Sequence, residues 1–208
     1  MLGEVIREGR AARPLQRGLT IIELMIGLVV VGVLAAIAVP SMYEFIMRKR
    51  VQGVADELLV DLRLLRSAAM LGSMRNNFAL TDIHFSADST MTCYAIHPSS
   101  GNRNLGMRWE TCDCLNTPVC TSMPGTGAPP TVIKLVRLPI SEKVTIYAVP
   151  SSPSFLSIDH TTGLPQNNAL LTVAVSAPSG GTVHVRTNGT GQGSICSVSG
   201  HGGTYAPC

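Results

Sequence analysis

The sequence predicts an α+β protein, in which a long N-terminal helix packs on a C-terminal, antiparallel, β-sandwich-like head. Three patterns predict this class: an apolar run at residues 19–39, a one-sided apolar stripe after it, and alternation with a period of two beyond Arg75. The chain has 208 residues, which is enough for one domain and an accessory segment. Because 45% of the residues are hydrophobic and the net charge is only +3, a disordered chain is excluded.

Residues 19–39 form an apolar run whose one charged side chain is Glu23. As a helix, this run would span roughly 30 Å, the thickness of a bilayer core, which predicts a transmembrane segment. A secretory signal peptide is a competing interpretation, but its apolar region covers only about 7–15 residues. A simple signal anchor is another. It leaves Glu23 unexplained, because burying a carboxylate in lipid costs at least ~2.5 kcal/mol, and such a group is usually paired with a partner.

The order of a basic leader, Gly18, Glu23 and Pro40 resembles the class III leader of type IV pilins and type II secretion pseudopilins. The resemblance implies that a dedicated prepilin peptidase cuts between Gly18 and Leu19 and methylates the new N-terminus at Leu19. Glu23 then becomes the fifth mature residue, and Gly32 and Pro40 also fall at positions that match the family. Leu19 departs from the family pattern, since phenylalanine is commoner at this position.

Cleavage would remove residues 1–18, which hold four arginines, and would expose an amine at Leu19. In a bundle of subunits, that amine and the Glu23 carboxylate can neutralise each other, because a desolvated charge is tolerable only when it is paired. We therefore expect Glu23, Gly32 and Pro40 to make subunit contacts. The resemblance places the leader in the cytoplasm, the span in the bacterial inner membrane as a single pass, and the head in the periplasm or on an extracellular pilus.

The helix is predicted to continue over residues 40–74 as an amphipathic segment. Its apolar positions recur mostly at spacings of three and four, which is typical of a one-sided helical stripe. The stripe consists of Val51, Val54, Ala55, Leu58, Leu62, Leu65 and Ala69, and the charged residues Arg48, Asp56, Asp61, Arg63 and Arg66 lie mostly off it. Pro40 removes one helical hydrogen bond and should bend or loosen the helix. A heptad coiled coil competes with this interpretation, but the stripe is short and lacks ordered flanking charges.

Residues 64–69 read Leu-Leu-Arg-Ser-Ala-Ala. They resemble the signature that closes the long helix in the GspH/FimT branch of the family, which holds H-type pseudopilins and the FimT/FimU minor pilins. Small residues at a place where a helix crosses a sheet explain the same segment equally well, so both interpretations stay open.

Residues 75–208 are predicted to form the head. Eight short strands are expected, because runs rich in β-branched residues lie between turn signals. They are residues 78–85, 91–97, 132–138, 144–149, 155–159, 170–176, 182–186 and 194–198. Such strands after one long helix favour a β-sandwich-like head, and the GspH/FimT resemblance implies the same architecture. Residues 99–131 are rich in Gly, Pro, Ser, Thr and Asn and are predicted to be a long loop held by disulfides.

The six cysteines are Cys93, Cys112, Cys114, Cys120, Cys196 and Cys208. Their even number, and a head outside the cytoplasm, predict disulfides, but the sequence alone leaves the pairing open. Pairing Cys196 with Cys208 would resemble the terminal disulfide loop of many pilins. Cys93 would then be bonded to one cysteine of the cluster at 112–120, and the cluster would close on itself through a bond between its other two cysteines. A metal site in the cluster is disfavoured, since cysteines that bind zinc are usually separated by about two to four residues. No metal and no cofactor is expected.

The histidines do not indicate catalysis. They are His84, His97, His160, His184 and His201. None belongs to an H-E-x-x-H pair, and the sequence contains no serine or cysteine elbow and no glycine-rich phosphate loop. His84 and His184 fall in predicted strands, where a surface or packing role is expected. The chain is therefore predicted not to be an enzyme.

Nucleic acid is disfavoured as a partner. Residues 76–208 hold six basic and six acidic residues, so the head is formally neutral and lacks a field that would steer phosphate. FimT-type minor pilins in competent bacteria can bind DNA through a basic G-R-x-R element near the C-terminus. The corresponding residues 191–194 read Gly-Gln-Gly-Ser, without either arginine, and Arg186 is the only basic residue after Lys143.

These observations predict a minor pilin or pseudopilin of the GspH/FimT type, which takes part in the assembly, initiation or tip of a type IV pilus or a type II secretion pseudopilus. Its expected partners are other minor pilins or pseudopilins, the major pilin, the prepilin peptidase, the inner-membrane assembly platform and membrane lipid. A minor pilin that binds DNA for uptake is the alternative. The sequence does not distinguish the pilus from the secretion machine, because both use the same motifs.

Overall fold

The computed structural model describes residues 20–72, 80–99, 110–116, 120–122, 132–150, 152–166, 169–198 and 205–208, with 110–112 and 120–122 described by their backbone alone. The chain divides into two compact units, Met1–Ser41 and Met42–Cys208. One α-helix, α1 (Ile21–Gly72), contributes to both units. The predicted helix reaches residue 74, and its last two residues lie outside the described part of the chain.

The helix α1 begins directly after a capping residue. The side-chain oxygen of Thr20 accepts a hydrogen bond from the backbone N–H of Glu23 at 3.3 Å, which satisfies one of the free amides of the first turn. The helix is continuous through Pro40, and the hydroxyl of Ser41 donates a hydrogen bond to the carbonyl of Ala38 at 3.0 Å. Since proline cannot donate to the preceding turn, this hydroxyl supplies a local polar contact there. A bend at Pro40 stays a prediction.

The head consists of short antiparallel strands. In the described residues they are β1 (Leu80–Ala87), β2 (Met91–Ser99), β3 (Glu110–Cys112), β4 (Cys120–Ser122), β5 (Lys134–Pro139), β6 (Thr145–Ala148), β7 (Phe155–Asp159), β8 (Thr172–Ala177), β9 (Gly181–Thr187) and β10 (Gly193–Ser197). They form two four-stranded sheets, in the orders β5-β2-β1-β7 and β10-β9-β8-β6, and the pair β3-β4. A 3₁₀ helix, Ile140–Glu142, lies between β5 and β6. The α+β fold class is therefore confirmed.

Each of the eight predicted strands has a counterpart in the two sheets, and the predicted residues 155–159 coincide with β7. The stretch 99–131 differs from the prediction, because β3 and β4 lie within a segment expected to be a loop. Thr111 and Thr121 are opposite each other in this pair. A β-branched residue at the centre of each strand favours an extended backbone even in a segment rich in turn-forming residues.

The core lies between the second half of α1 and both sheets. All stripe residues except Val54 are at most 2% exposed, and Val54 is partly buried. The first sheet contributes Ile83, Phe85, Tyr94, Ile96, Leu156 and Ile158, and the second contributes Ile146, Val173, Val175, Val183 and Val185. Burying one such aliphatic side chain is worth about 1.5–3 kcal/mol. This shared apolar cluster is therefore what holds the helix on the sheets.

Asp61 departs from the prediction that it lies off the stripe, because it is only 2% exposed. The Tyr94 hydroxyl donates a hydrogen bond to Asp61 Oδ2 at 2.6 Å, and Lys134 Nζ donates to Asp61 Oδ1 at 2.8 Å. Lys134 also donates to Glu57 at 3.0 Å. Burial, followed by the hydrogen bond to Asp61, raises the pKa of Tyr94, so its hydroxyl remains a donor. This polar network links α1 to β2 and β5.

Among the residues that the structure describes with side chains, two disulfides lie in the head. Cys93 of β2 is bonded to Cys114, and Cys196 of β10 is bonded to Cys208. Both agree with the expected pairing, which joined Cys93 to the cluster and closed the C-terminus. The backbones of Cys112 and Cys120 are opposite each other in β3 and β4, but their side chains lie outside the described part. The closure of the cluster on itself therefore stays a prediction.

Candidate assembly interface

The predicted processing site, Gly18 and Leu19, lies outside the described residues. The next residue, Thr20, caps α1, and Glu23 falls in the first turn of the helix. Its side chain is exposed within the single chain. The aligned peptide dipoles place positive potential at this end of a helix, which favours a carboxylate here. The acidic group therefore lies at the helix end next to the predicted new N-terminus.

The first half of α1 presents apolar side chains on every side. No residue from 20 to 46 is buried, and the exposed fraction of the large apolar side chains at residues 21–39 runs from 52% at Val30 to 81% at Ile21. By length and composition α1 can cross a membrane, since its most apolar window has a mean hydropathy of 2.7 and none of that window is buried within the chain. A helix that is apolar all round needs lipid or other helices to cover it.

Glu23, Gly32 and Pro40 lie along α1 and do not converge on one point. Gly32 follows Glu23 by nine residues, which corresponds to a rise of about 13.5 Å and a rotation of roughly half a turn. Nothing lies within 4 Å of the position that a Cβ would take at Gly32, so a neighbouring helix can approach the backbone closely. The carboxylate and the open glycine therefore face different directions and can contact different neighbours.

Sequence reasoning missed a cluster in the head. Asp82 and His84 of β1 and His97 of β2 bring one potential metal-ligating atom each within 4.8 Å of the others. Burial alone raises the pKa of Asp82, but hydrogen bonds with His84 and Ser157 and the charges of His97 and His84 outweigh it and lower this pKa. The signal that could have revealed the cluster is an Asp-x-His pair in one strand of a hairpin and a histidine in the returning strand.

A cleft of about 430 Å³ opens in the head beside the second half of α1. Its lining residues are Arg63, Arg66, Ser67 and Met70 of α1 and Gly191, Gln192 and Gly193. Residues 191–194 lack the two arginines expected of a DNA-binding element, yet two arginines of the helix line the same cleft. Because they lie more than a hundred positions away along the chain, only the packing of α1 on the second sheet brings them to this place.

Residues 13–39 match the family model described as the prokaryotic N-terminal methylation motif. Type IV major fimbrial protein FimA of Dichelobacter nodosus is 47% identical to this chain over 45 residues, which is 22% of this chain and 29% of the relative. Another FimA protein from the same organism matches at 47% identity over 22% of this chain and 28% of its own length. The chain thus spans less than a third of the length of the relatives it matches. No solved structure matches it significantly.

Proposed function

We propose that this chain, a type IV pilin-like protein with an N-terminal methylation signal, a long apolar helix and antiparallel sheets, is a minor pilin or pseudopilin of the GspH/FimT type. The prepilin peptidase cuts it after Gly18 and methylates Leu19. The first half of α1 anchors it in the inner membrane with the head in the periplasm, and then carries it into the initiating or tip complex of a filament. Its role is structural and not enzymatic.

The observation that carries the proposal is the exposed apolar half of α1, with one carboxylate in its first turn. Lipid alone would cover the apolar side chains but would leave Glu23 unpaired at a cost of several kcal/mol. A bundle of helices covers the same side chains and also brings a neighbour's terminal amine to Glu23. The assembled filament therefore accounts for both the apolar surface and the charge within it, whereas a membrane anchor accounts only for the first.

The architecture of the head supports the GspH/FimT assignment, whereas the signature at residues 64–69 does not decide it. Two antiparallel sheets on a helix are the architecture that this resemblance implies. Within the signature at residues 64–69, however, Leu65 and Ala69 are fully buried in the core, and the Ser67 hydroxyl donates to the carbonyl of Leu64 at 2.9 Å. Packing of a helix on sheets explains these residues equally well, so the assignment rests on the whole architecture and not on the signature.

Filament incorporation tests the proposal directly. The full chain is produced in a host with its prepilin peptidase and assembly machine, and its amounts in membranes and sheared filaments are compared. We expect Glu23→Ala to be cleaved normally but to be reduced at least about tenfold in filaments, because an unpaired buried amine costs about 3–5 kcal/mol. Glu44→Ala is the matched control, since Glu44 is an exposed acid of the same helix that pairs with Arg48 at 3.5 Å.

Three outcomes would contradict the proposal. Normal incorporation of Glu23→Ala would show that the carboxylate has no assembly role. Normal processing of Gly18→Ala would show that the peptidase does not recognise the predicted site. Equal losses for Glu23→Ala and Glu44→Ala would indicate a general effect of removing an acid from the helix, and would also overturn the specific role of Glu23.

One observation favours a DNA-binding minor pilin as a second candidate. Arg63 and Arg66 line the cleft at residues 191–193, so the helix supplies two cations where the loop has none. Two phosphate contacts predict a slope of only about −1.8 for log affinity against log salt. If double-stranded DNA binds the full chain in detergent micelles with this slope, and Arg63→Ala weakens binding while Arg186→Ala does not, DNA binding becomes the preferred function.

A further inference from the structure

The hairpin of β1 and β2 brings three metal-ligating side chains to one face of the first sheet. Asp82 is paired directly with His97, and His84 follows Asp82 by two residues, so all three project from the same side. The side chains of Ile83 and Ile96 project from the other side, into the core that the sheet shares with α1. The cluster therefore lies on the face of the sheet that points away from the helix.

The potential ligand atoms are already close together. Asp82 Oδ2 lies 3.9 Å from His84 Nε2, and the ring centroids of His84 and His97 are 5.1 Å apart. One ligand atom from each of the three residues lies within 4.8 Å of the other two. Zinc binds nitrogen and oxygen ligands at about 2.0–2.2 Å in a tetrahedron, which separates neighbouring ligand atoms by about 3.3–3.5 Å. The three ligand atoms would have to approach one another to reach that spacing.

Neighbouring groups orient the two imidazole rings. His97 Nδ1 lies 3.2 Å from the carbonyl oxygen of Pro98. Because a carbonyl only accepts, Nδ1 donates the proton, and the lone pair that binds a metal belongs to Nε2. The ring of Phe155 stacks on His84 with centroids 5.5 Å apart. Asp82 and His97 are 4% and 1% exposed, whereas 13% of the His84 side chain is exposed, so the site opens at His84.

Asp82 provides an independent observation that points to a bound cation. Its Oδ1 atom is buried and has no hydrogen-bond partner among the described residues. A carboxylate in a desolvated position is costly unless each oxygen is satisfied, and buried charges are normally paired or coordinate metals. No lysine or arginine side chain is paired with Asp82 in the described part of the chain. A metal ion at this point would satisfy the carboxylate.

We propose that Asp82, His84 and His97 bind one divalent metal ion, with zinc as the best fit. Two imidazole nitrogens and one carboxylate suit zinc, cobalt or nickel, whereas calcium and magnesium prefer oxygen ligands alone. The ion cross-links β1 to β2 and neutralises the buried carboxylate. Three protein ligands leave one position of a tetrahedron to water or to a group from a neighbouring subunit.

Zinc binding to the full chain tests this site. The untagged protein, in detergent micelles and with its disulfides intact, is stripped with a chelator and titrated with zinc by calorimetry. We expect one zinc ion per chain, an affinity at least about tenfold weaker in Asp82→Asn and in His97→Gln, and no competition from magnesium. His184→Gln is the control, because His184 is a partly buried strand histidine of the other sheet, and it should bind as the wild type does.

The absorption spectrum of the wild-type chain loaded with cobalt gives a second measurement, which does not depend on any variant being folded. The proposed ligands predict the visible bands of a four-coordinate or five-coordinate site without a thiolate-to-cobalt band. A thiolate band would assign the metal to cysteines and overturn the proposal. So would the absence of saturable binding at one ion per chain, or equal affinity in the wild type and in folded Asp82→Asn and His97→Gln.

Discussion

Replacing Asp61 with alanine tests whether the buried polar network holds α1 on the first sheet. The change removes the acceptor of the Tyr94 hydrogen bond at 2.6 Å and one acceptor of Lys134 at 2.8 Å. A hydrogen bond to a charged group contributes about 1.5–3 kcal/mol, and a buried hydroxyl without a partner adds a penalty of about 1–3 kcal/mol. Alanine regains about 0.5 kcal/mol of helix propensity. Lys134 still donates to Glu57 at 3.0 Å, so we expect Asp61→Ala to lower the free energy of unfolding by about 3 kcal/mol in total.

Asp56→Ala is the matched control for this prediction. Asp56 lies on the same helix and accepts a hydrogen bond from the Tyr205 hydroxyl at 2.9 Å, but its side chain is exposed. Burial, followed by the bond to Asp56, raises the pKa of Tyr205 to about 12, so this tyrosine is also a protonated donor at neutral pH. The loss of an exposed bond is largely offset by helix propensity, so the control should change the free energy of unfolding by less than about 1 kcal/mol.

The assay is thermal unfolding of the full chain in detergent micelles, followed by near-ultraviolet circular dichroism. A loss of about 3 kcal/mol corresponds to a fall in Tm of about 6–12 °C for a domain of this size. Asp61→Ala should show that fall and Asp56→Ala should stay within about 4 °C of the wild type. Equal changes in Tm for the two variants would refute the reasoning, because the buried and the exposed carboxylates would then contribute alike.

Two further predictions concern the second sheet. Gly180→Ala would place its Cβ 2.9 Å from the backbone of Met47 and should lower the free energy of unfolding by about 1–3 kcal/mol. The Cβ of Gly189→Ala meets nothing within 4 Å, so this control should keep the free energy of unfolding within about 0.5 kcal/mol of the wild type. Denaturant titration in which both variants unfold alike would contradict this prediction. Burial, and then the charge of Arg186, lower the pKa of His184 below its ordinary value of 6.5. The unfolded chain therefore takes up the proton first, and the stabilisation present above pH 6.5 is lost as the pH falls. Between about pH 7 and 5, the free energy of unfolding of His184→Gln should fall less steeply than that of the wild type. An identical pH profile for the two proteins would exclude the effect.

The order of helix and strands could be predicted because local patterns determine it. The spacing of apolar residues along α1 reports directly which side is covered, and Leu58, Leu62 and Leu65 are buried as their spacing predicts. Runs of β-branched residues locate strands in the same way. The pair β3-β4 was missed because it consists of only three residues a side, which is too short for a period of two to be recognised.

Pairing across the sheet could not be predicted in the same way. Asp82 and His97 are fifteen positions apart, and only the register of β1 against β2 makes them neighbours. The burial of Asp61 likewise depends on partners from two separate strands, Tyr94 and Lys134, which nothing near Asp61 in the sequence indicates. Glu23, by contrast, could be proposed as an assembly residue from the sequence alone, because its signal is contiguous: a single charge near the start of an apolar run.

Mass spectrometry of the intact native chain, purified separately from membranes and from sheared filaments, measures the cleavage on which the proposed assembly depends. The filament fraction should contain a polypeptide that begins at Leu19, lacks residues 1–18 and carries one methyl group at its N-terminus. The account would be contradicted if the chain in the filament fraction still began at Met1. It would also be contradicted if the membrane fraction held the processed form and the filament fraction lacked the chain.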